Sequence, residues 1–278
     1  MQRIENEYFQ VEISEVGAVL TSFVAKKNKQ ELLWQKDPRY WDCQDVVIFP
    51  QIGKAPNLIE GGSYDCPTRH GFTRISRFEV KAKNANSVTL ELRDNSETRK
   101  SYPFSFLLEV THTLVGSKLI REAKVTNYSA KMLPFSLGFH QAFKANYNGS
   151  GSIHFDKAPH YYYPMRDGVL KAKEPSIYQQ NEVLRSDLWR DNETWVLPND
   201  AHYQILVKTG LGYCMKYHFD SPEIAIWRHS SGGDFLCVEP WWGFSTYEGM
   251  PKELSKRQDE NLVQEEKTFH LEIEINED

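Results

Sequence analysis

Cysteine is sparse in this sequence and never closely spaced. Cys43, Cys66, Cys214 and Cys237 stand far apart, with no Cys-x-x-Cys pair. That spacing argues against a structural zinc module or a dithiol redox motif, and it suits a reducing compartment. No stretch approaches the roughly 18 uncharged apolar residues of a membrane-spanning helix. The first residues, Met1-Gln2-Arg3-Ile4-Glu5-Asn6-Glu7, lack the apolar segment of a secretory signal. A soluble, cytoplasmic protein with no membrane partner is expected. Positive charge is not in excess: 33 Lys and Arg against 38 Asp and Glu leave a formal net charge of −5. Nucleic acid, whose phosphates need a basic face, is a poor partner for such a chain. The nine histidines form no His-rich tract. Helical periodicity is scarce: Glu253–Arg257 could make one or two turns, and little else could. No Pro- or Ser-rich linker and no short repeat divides the chain.

What is present is strand signal. Phe269, Leu271, Ile273 and Ile275 alternate with polar residues, and Val88, Leu90 and Leu92 do the same, the period-two mark of half-buried strands. Phe104–Leu114 and Lys118–Val125 flank Val115-Gly116-Ser117. Glu223–Trp227 and Asp234–Val238 flank Ser230-Ser231-Gly232-Gly233. Tyr203–Lys208 and Tyr213–Phe219 flank Thr209-Gly210-Leu211-Gly212. Each set reads as a hairpin. Residues 1–278 therefore read as a single all-β domain of large packed antiparallel sheets. Irregular stretches are expected at 41–76, 142–152 and 240–262, and long loops on a β scaffold are common places for sites. Seven Trp and fourteen Tyr serve either a large β core or a pocket for carbohydrate, whose C–H faces lie well on aromatic rings.

Three segments carry polar residues suited to chemistry. Val47–Lys54 and Arg69-His70-Gly71-Phe72-Thr73-Arg74 bring cations and imidazole next to glycine. Such a cluster is either exposed or satisfied by a ligand, and Arg and His offer directed donors for hydroxyls. Leu137-Gly138-Phe139-His140-Gln141 puts a histidine at the end of an apolar run. It is either a proton carrier near neutrality or a core histidine bonded to backbone. Phe235-Leu236-Cys237-Val238-Glu239-Pro240-Trp241-Trp242 ends an apolar strand on a carboxylate. Burial there would raise its pKa towards that of a general base; the other reading is a buried ion pair with an arginine. No second carboxylate has comparable surroundings, which leaves a glycosidase without its usual pair.

These segments, with Trp34 and Trp41, Phe49-Pro50 with Gly53, Val125-Thr126-Asn127 and Ile226-Trp227, resemble the galactose mutarotase-like superfamily of aldose 1-epimerases, and within it the LacX-like branch. The match runs from about 10 to 276. The resemblance implies a β-supersandwich and an isomerase that interconverts sugar anomers. It implies Glu239 as general base, His140 as general acid and His70 as a hydrogen-bonding partner of the ring oxygen and hydroxyls. Arg74 matches the arginine of a His-Gly-Phe-Ala-Arg pattern in 6-phosphosugar relatives. Lys54 stands where relatives carry Arg, Glu193 is the candidate acidic contact among Asp191-Asn192-Glu193, and Trp241 is expected to wall the pocket. Gln141 replaces a usual Pro, and no Asp follows Gly243. The implied partner is a small-molecule sugar, bound by a monomer or homodimer without cofactor or metal. A hexose-6-phosphate 1-epimerase and a non-catalytic carbohydrate-binding protein are the alternatives.

Overall fold

Period-two alternation becomes sheet wherever the sequence shows it. In Glu266–Glu277, Phe269, Leu271, Ile273 and Ile275 are buried, and in Ser87–Arg93 so are Val88, Leu90 and Leu92. Each such side chain contributes on the order of 1.5–3 kcal/mol through burial. The computed structural model describes residues 1–278 except 54–55, 60–61, 66–67, 177–179, 189–192, 244, 252 and 258–260; the side chains of 56–59, 62–65 and 186 also lie outside the description.

Among the described residues, two nine-stranded antiparallel sheets dominate. The first runs from Asn181–Arg185 through Asn148–Phe155, Ile205–Lys208, Tyr213–Phe219, Glu266–Glu277, Lys118–Asn127, Phe106–Val115 and Ser87–Arg93 to Glu79–Lys83. The second is built around Thr194–Pro198, Glu223–Trp227, Phe235–Trp242 and Leu137–Phe139, with Tyr161–Arg166 and Val47–Ile48 further out. A four-stranded sheet, Gln2–Glu5 to Gln30–Glu31, packs against them. One core cluster draws on all three, for example through Val11, Leu108 and Leu197. The all-β reading with large antiparallel sheets holds. Among the described residues, no helix is long and apolar enough to cross a membrane.

Three expectations need correction. The stretch 142–152 is not irregular: it carries Ala142–Lys144 and the start of Asn148–Phe155. Its glycines hide the strand signal, yet Gly151 is needed there, since a Cβ would stand 2.4 Å from the Asn146 carbonyl oxygen. The hairpin strand that carries Glu239 does not stop at that residue but continues to Trp242, so the carboxylate sits mid-strand. Pro240 is accommodated within the ladder: it stands opposite Ile224, and its neighbours Glu239 and Trp241 stand opposite Ala225 and Glu223. The other helical-looking piece, Glu253–Arg257, shrinks to a 3₁₀ turn at Leu254–Lys256.

The first sheet also has two inward positions that break the apolar pattern. Lys118–Asn127 alternates strictly between partly exposed and buried, and Arg121 falls on the buried side with Leu119, Ala123 and Val125. His112 does the same in Phe106–Val115. Its Nε2 bonds the Ala18 carbonyl at 2.9 Å, which satisfies a polar group in the core.

Candidate active site

Phe235–Trp242 is buried along its whole length, as an unbroken apolar run covered on both faces requires. Alternate residues share a face, so Cys237, Glu239 and Trp241 lie together. On the neighbouring side, Gly138 stands opposite Trp241 and Ala142 opposite Cys237. The same register places His140 opposite Glu239, where the ladder is interrupted. There the His140 backbone turns to Val46 instead, donating to its carbonyl at 2.9 Å and accepting from its N–H at 3.1 Å. Gly138 must be glycine: a Cβ would meet Trp241 Cδ1 at 2.7 Å and the Pro240 carbonyl oxygen at 3.0 Å.

His140 Nδ1 and Glu239 Oε1 face each other at 3.3 Å. Neither atom has a hydrogen-bond partner among the described residues. Trp241 Nε1–H donates to the other carboxyl oxygen, Oε2, at 3.1 Å. Burial pushes the Glu239 carboxyl well above the usual carboxylate range, against the pull of the Trp241 N–H. Burial holds His140 well below the usual imidazole range, and His70 and Arg74 push the same way. Both shifts favour the uncharged forms, a carboxylic acid facing a neutral imidazole.

Beside His140 lies a cleft of about 160 Å³, which the buried Glu239 does not itself line. His140 forms part of its wall, with its imidazole on the Trp41 indole at 4.7 Å and 18° between planes. Trp227 stands edge-on to it at 5.7 Å. His70 also lines the cleft. Its φ is 68° and that of Gly71 is 86°, and a Cβ on Gly71 would overlap the Phe49 carbonyl oxygen at 1.9 Å. This turn seats His70 so that its Nδ1 accepts the Gly53 N–H at 3.2 Å. Burial, with Arg69 and Arg74 nearby, takes its pKa down to about 3. His70 is therefore neutral with its proton on Nε2, a donor and not a proton carrier. Arg69 and Arg74 complete the polar wall, and neither forms an ion pair among the described residues. Larger hollows of about 600 and 670 Å³ elsewhere are lined by no histidine among the described residues.

The remaining residues named from sequence are placed as follows. Trp241 is wholly buried beside Glu239 and does not wall the cleft; Trp41 and Trp227 do. Trp242 packs in the main core and bonds Asp220 at 2.9 Å. Glu193 is buried and bonded to Arg166 at 2.8 Å and to the Tyr162 hydroxyl at 3.1 Å; its neighbour Thr194, not Glu193, lines the cleft. Lys54, Asp191 and Asn192 lie outside the described residues. Trp227 was within reach of sequence reasoning. The register that pairs it with Cys237 is that of a hairpin closed by Ser230–Gly233, which sets it on the face of Glu239.

A buried network supports the pair from behind. Arg121 donates from Nη1 to Asp45 Oδ1 at 2.9 Å and from Nη2 to Oδ2 at 2.7 Å. Both side chains are fully buried. Nη1 also donates to Gln141 Oε1 at 2.9 Å, and Gln141 Nε2 donates to the Val238 carbonyl. Arg121 is thus committed to Asp45, and no arginine pairs with Glu239 among the described residues. Gln141, the departure from the usual Pro, ties the His140 segment to the Glu239 strand.

Comparison with known proteins follows the same lines. The sequence model of the aldose 1-epimerase family matches residues 1–251. The chromosomal protein LacX of Lactococcus lactis subsp. lactis is 29% identical over 265 residues, covering 87% of this chain and 88% of that protein. A galactose mutarotase related enzyme from Lactobacillus acidophilus superposes with a TM-score of 0.91 at 25% identity, covering 99% of this chain and 97% of that one. A galactose mutarotase-like protein from Lactobacillus casei also gives 0.91, at 26% identity, covering 99% of this chain and all of that one.

Proposed function

This chain belongs to the aldose 1-epimerase family, and we propose that it interconverts the α and β anomers of a hexose by acid–base ring opening and closure. The observation that carries this reading is the His140–Glu239 pair. Two protonable atoms meet at 3.3 Å with no other partner among the described residues, and one of the two residues, His140, lines an aromatic cleft.

Opening the ring requires removal of the C1 hydroxyl proton and delivery of a proton to the ring oxygen. In this proposal Glu239 takes the first as carboxylate, and His140 delivers the second as imidazolium. The C1–C2 bond then rotates, and the aldehyde presents its other face. The pair is left as carboxylic acid and neutral imidazole, the arrangement needed to close the ring. One proton resides on the pair throughout. Its resting form is the closing form, and the 3.3 Å contact lets the proton cross to His140 before the next opening. Neutral His70 offers Nε2–H to the sugar oxygens, and Trp41 and Trp227 offer faces for its C–H groups. Positioned proton transfer contributes about 10²–10⁴-fold.

The test is anomer exchange measured by NMR on free hexoses, pentoses and 6-phosphosugars. Saturation transfer between anomers is expected with the native chain and is expected to vanish in Glu239→Gln and His140→Gln. Full exchange in both variants would overturn the assignment. Sugar binding without exchange would instead mark a carbohydrate-binding protein on this scaffold. One observation favours a second substrate class: Arg69 and Arg74 line the cleft, together with Asp167, and form no ion pair among the described residues, which suits them to a phosphate. A rate on glucose 6-phosphate well above that on glucose would select that reading.

A further inference from the structure

The face that holds Glu239 also holds Cys237, two residues earlier on the same strand and opposite Ala142. A ring nitrogen of His140, Cys237 Sγ and a Glu239 carboxyl oxygen all lie within 4.8 Å of one another, and all three side chains are buried. We propose that this triad is an inhibitory site for a thiophilic divalent cation, with Zn²⁺ as the best fit.

The geometry is close to what such an ion needs. Zinc bonds run about 2.0–2.2 Å to imidazole nitrogen and carboxylate oxygen and about 2.3 Å to thiolate sulfur. At tetrahedral angles, nitrogen and oxygen ligands therefore stand roughly 3.3–3.5 Å apart, and His140 Nδ1 and Glu239 Oε1 already stand at 3.3 Å. These two atoms are also free to bind, since neither has a hydrogen-bond partner among the described residues. Trp241 holds the other carboxyl oxygen and so keeps Oε1 turned to His140. The sulfur has to draw in by no more than about 1 Å to reach the usual separation.

The charge also balances. Binding converts the carboxylic acid and the thiol to anions and releases two protons to solvent, and the two anions neutralise the dication. Nitrogen and sulfur donors favour Zn²⁺ over Mg²⁺ and Ca²⁺, which take oxygen. Three protein ligands leave one position of a tetrahedron open, and His140 borders the cleft from which a water or sugar hydroxyl would fill it. Access is no obstacle if the anomeric hydroxyl reaches Glu239, since the ion is smaller. Binding stands by itself; the consequence, loss of anomer exchange, rests on the acid–base reading above.

The test uses the full chain, stripped with a chelator and titrated with Zn²⁺ against a chromophoric competitor, with Co²⁺ as an optical substitute. The native chain should take up one equivalent, show a thiolate-to-cobalt charge-transfer band, and lose anomer exchange in step with occupancy. Cys237→Ala should weaken uptake by more than about tenfold, a loss already usual for an outer-shell partner of a metal site. It should also abolish the band and make exchange resistant to Zn²⁺. Cys237→Ser, with a smaller change of shape, covers the case in which the alanine variant fails to fold. Cys43→Ala and Cys214→Ala should leave uptake and the band unchanged. Uptake and band unaltered in both Cys237 variants, or no uptake by the native chain, overturns the site. Stoichiometric uptake by a chain that exchanges no sugar keeps the site and removes the proposed reaction; exchange indifferent to Zn²⁺ does the reverse.

Discussion

Two buried ionisable clusters meet at the peptide between His140 and Gln141, and they are built on opposite terms. On the Gln141 side, Arg121 and Asp45 form a bidentate pair, Asp45 Oδ2 also accepts the Leu20 N–H at 2.8 Å, and Gln141 joins the network. The Arg121 guanidinium lies 4.5 Å from the centre of the Phe139 ring. On the His140 side, Nδ1 and the facing carboxyl oxygen have no hydrogen bond to any described residue. Low dielectric strengthens a completed network and penalises an incomplete one. The first cluster therefore fixes the backbone that carries His140 and Glu239, while the second retains protonation states that can change. A buried charge held by several partners is scaffold, although Arg121 Nε has none among the described residues; a buried proton pair left open is reactive.

The largest expected break in this contrast comes from the open side. His140→Gln and Glu239→Gln should each lower kcat for anomer exchange by about 10²–10⁴-fold, with thermal midpoints close to native. Stability should survive because Gln at 239 replaces a carboxyl whose charged form burial disfavours. A loss of activity that tracked a loss of fold would erase the distinction. On the completed side the sign reverses. Arg121→Met leaves the Asp45 carboxylate buried without its partner, which should cost about 3–5 kcal/mol in urea unfolding. The double variant Arg121→Met/Asp45→Leu should recover most of that loss, since an apolar pair can replace a buried ion pair.

The pH dependence of the rate sharpens the same contrast. The active pair carries one proton. On the acid side a second proton occupies His140, whose affinity burial lowers, and no base remains. On the alkaline side the last proton leaves Glu239, whose affinity burial raises, and no acid remains. The alkaline limb should therefore lie well above the ordinary carboxylate range and the acid limb well below the ordinary imidazole range. Unshifted groups would instead give a narrow optimum between 4.5 and 6.5. A narrow bell in that window would show that the pair is solvated. The limbs belong to the pair and not to either residue singly. His70, with a pKa of about 3, adds no limb near neutrality.

Much of the fold and part of the site could be read from the chain. Strand alternation at Phe269–Ile275 and Val88–Leu92 needs only local information, as does the turn at Gly116. His140 and Glu239 emerged as candidates from their apolar surroundings and from the family resemblance, while each retained a bland alternative. The structure shows what decides between them. His112 is the core histidine bonded to backbone, and Asp45 takes the buried arginine, so neither alternative describes the pair. That assignment depends on contacts 76 and 94 residues apart, which periodicity cannot supply. Trp241 misled for a similar reason. Parity puts Trp241 on the face of Glu239, but Gly138 lets it pack down beside the carboxyl, and the cleft is walled by Trp41 and Trp227 from elsewhere.

The smallest expected effect isolates the single bond that ties the open pair to its surroundings. Trp241→Phe keeps a ring beside Gly138 but removes the N–H that donates to Glu239 Oε2 at 3.1 Å. That donor favours the ionised carboxylate and opposes burial, so without it the proton is held more tightly. A hydrogen bond to a charged group contributes about 1.5–3 kcal/mol, and about 1.4 kcal/mol corresponds to one pH unit. The alkaline limb should therefore move up by roughly one unit, with the acid limb unmoved. The plateau rate should fall only a few-fold, because the proton must be passed to His140 from a stronger hold before each ring opening. If Trp241 merely filled space, the limb would stay where it is in the native chain. A downward shift would mean that the indole had been excluding water from Glu239, and the carboxyl would then belong with the solvated groups and not with the open buried pair.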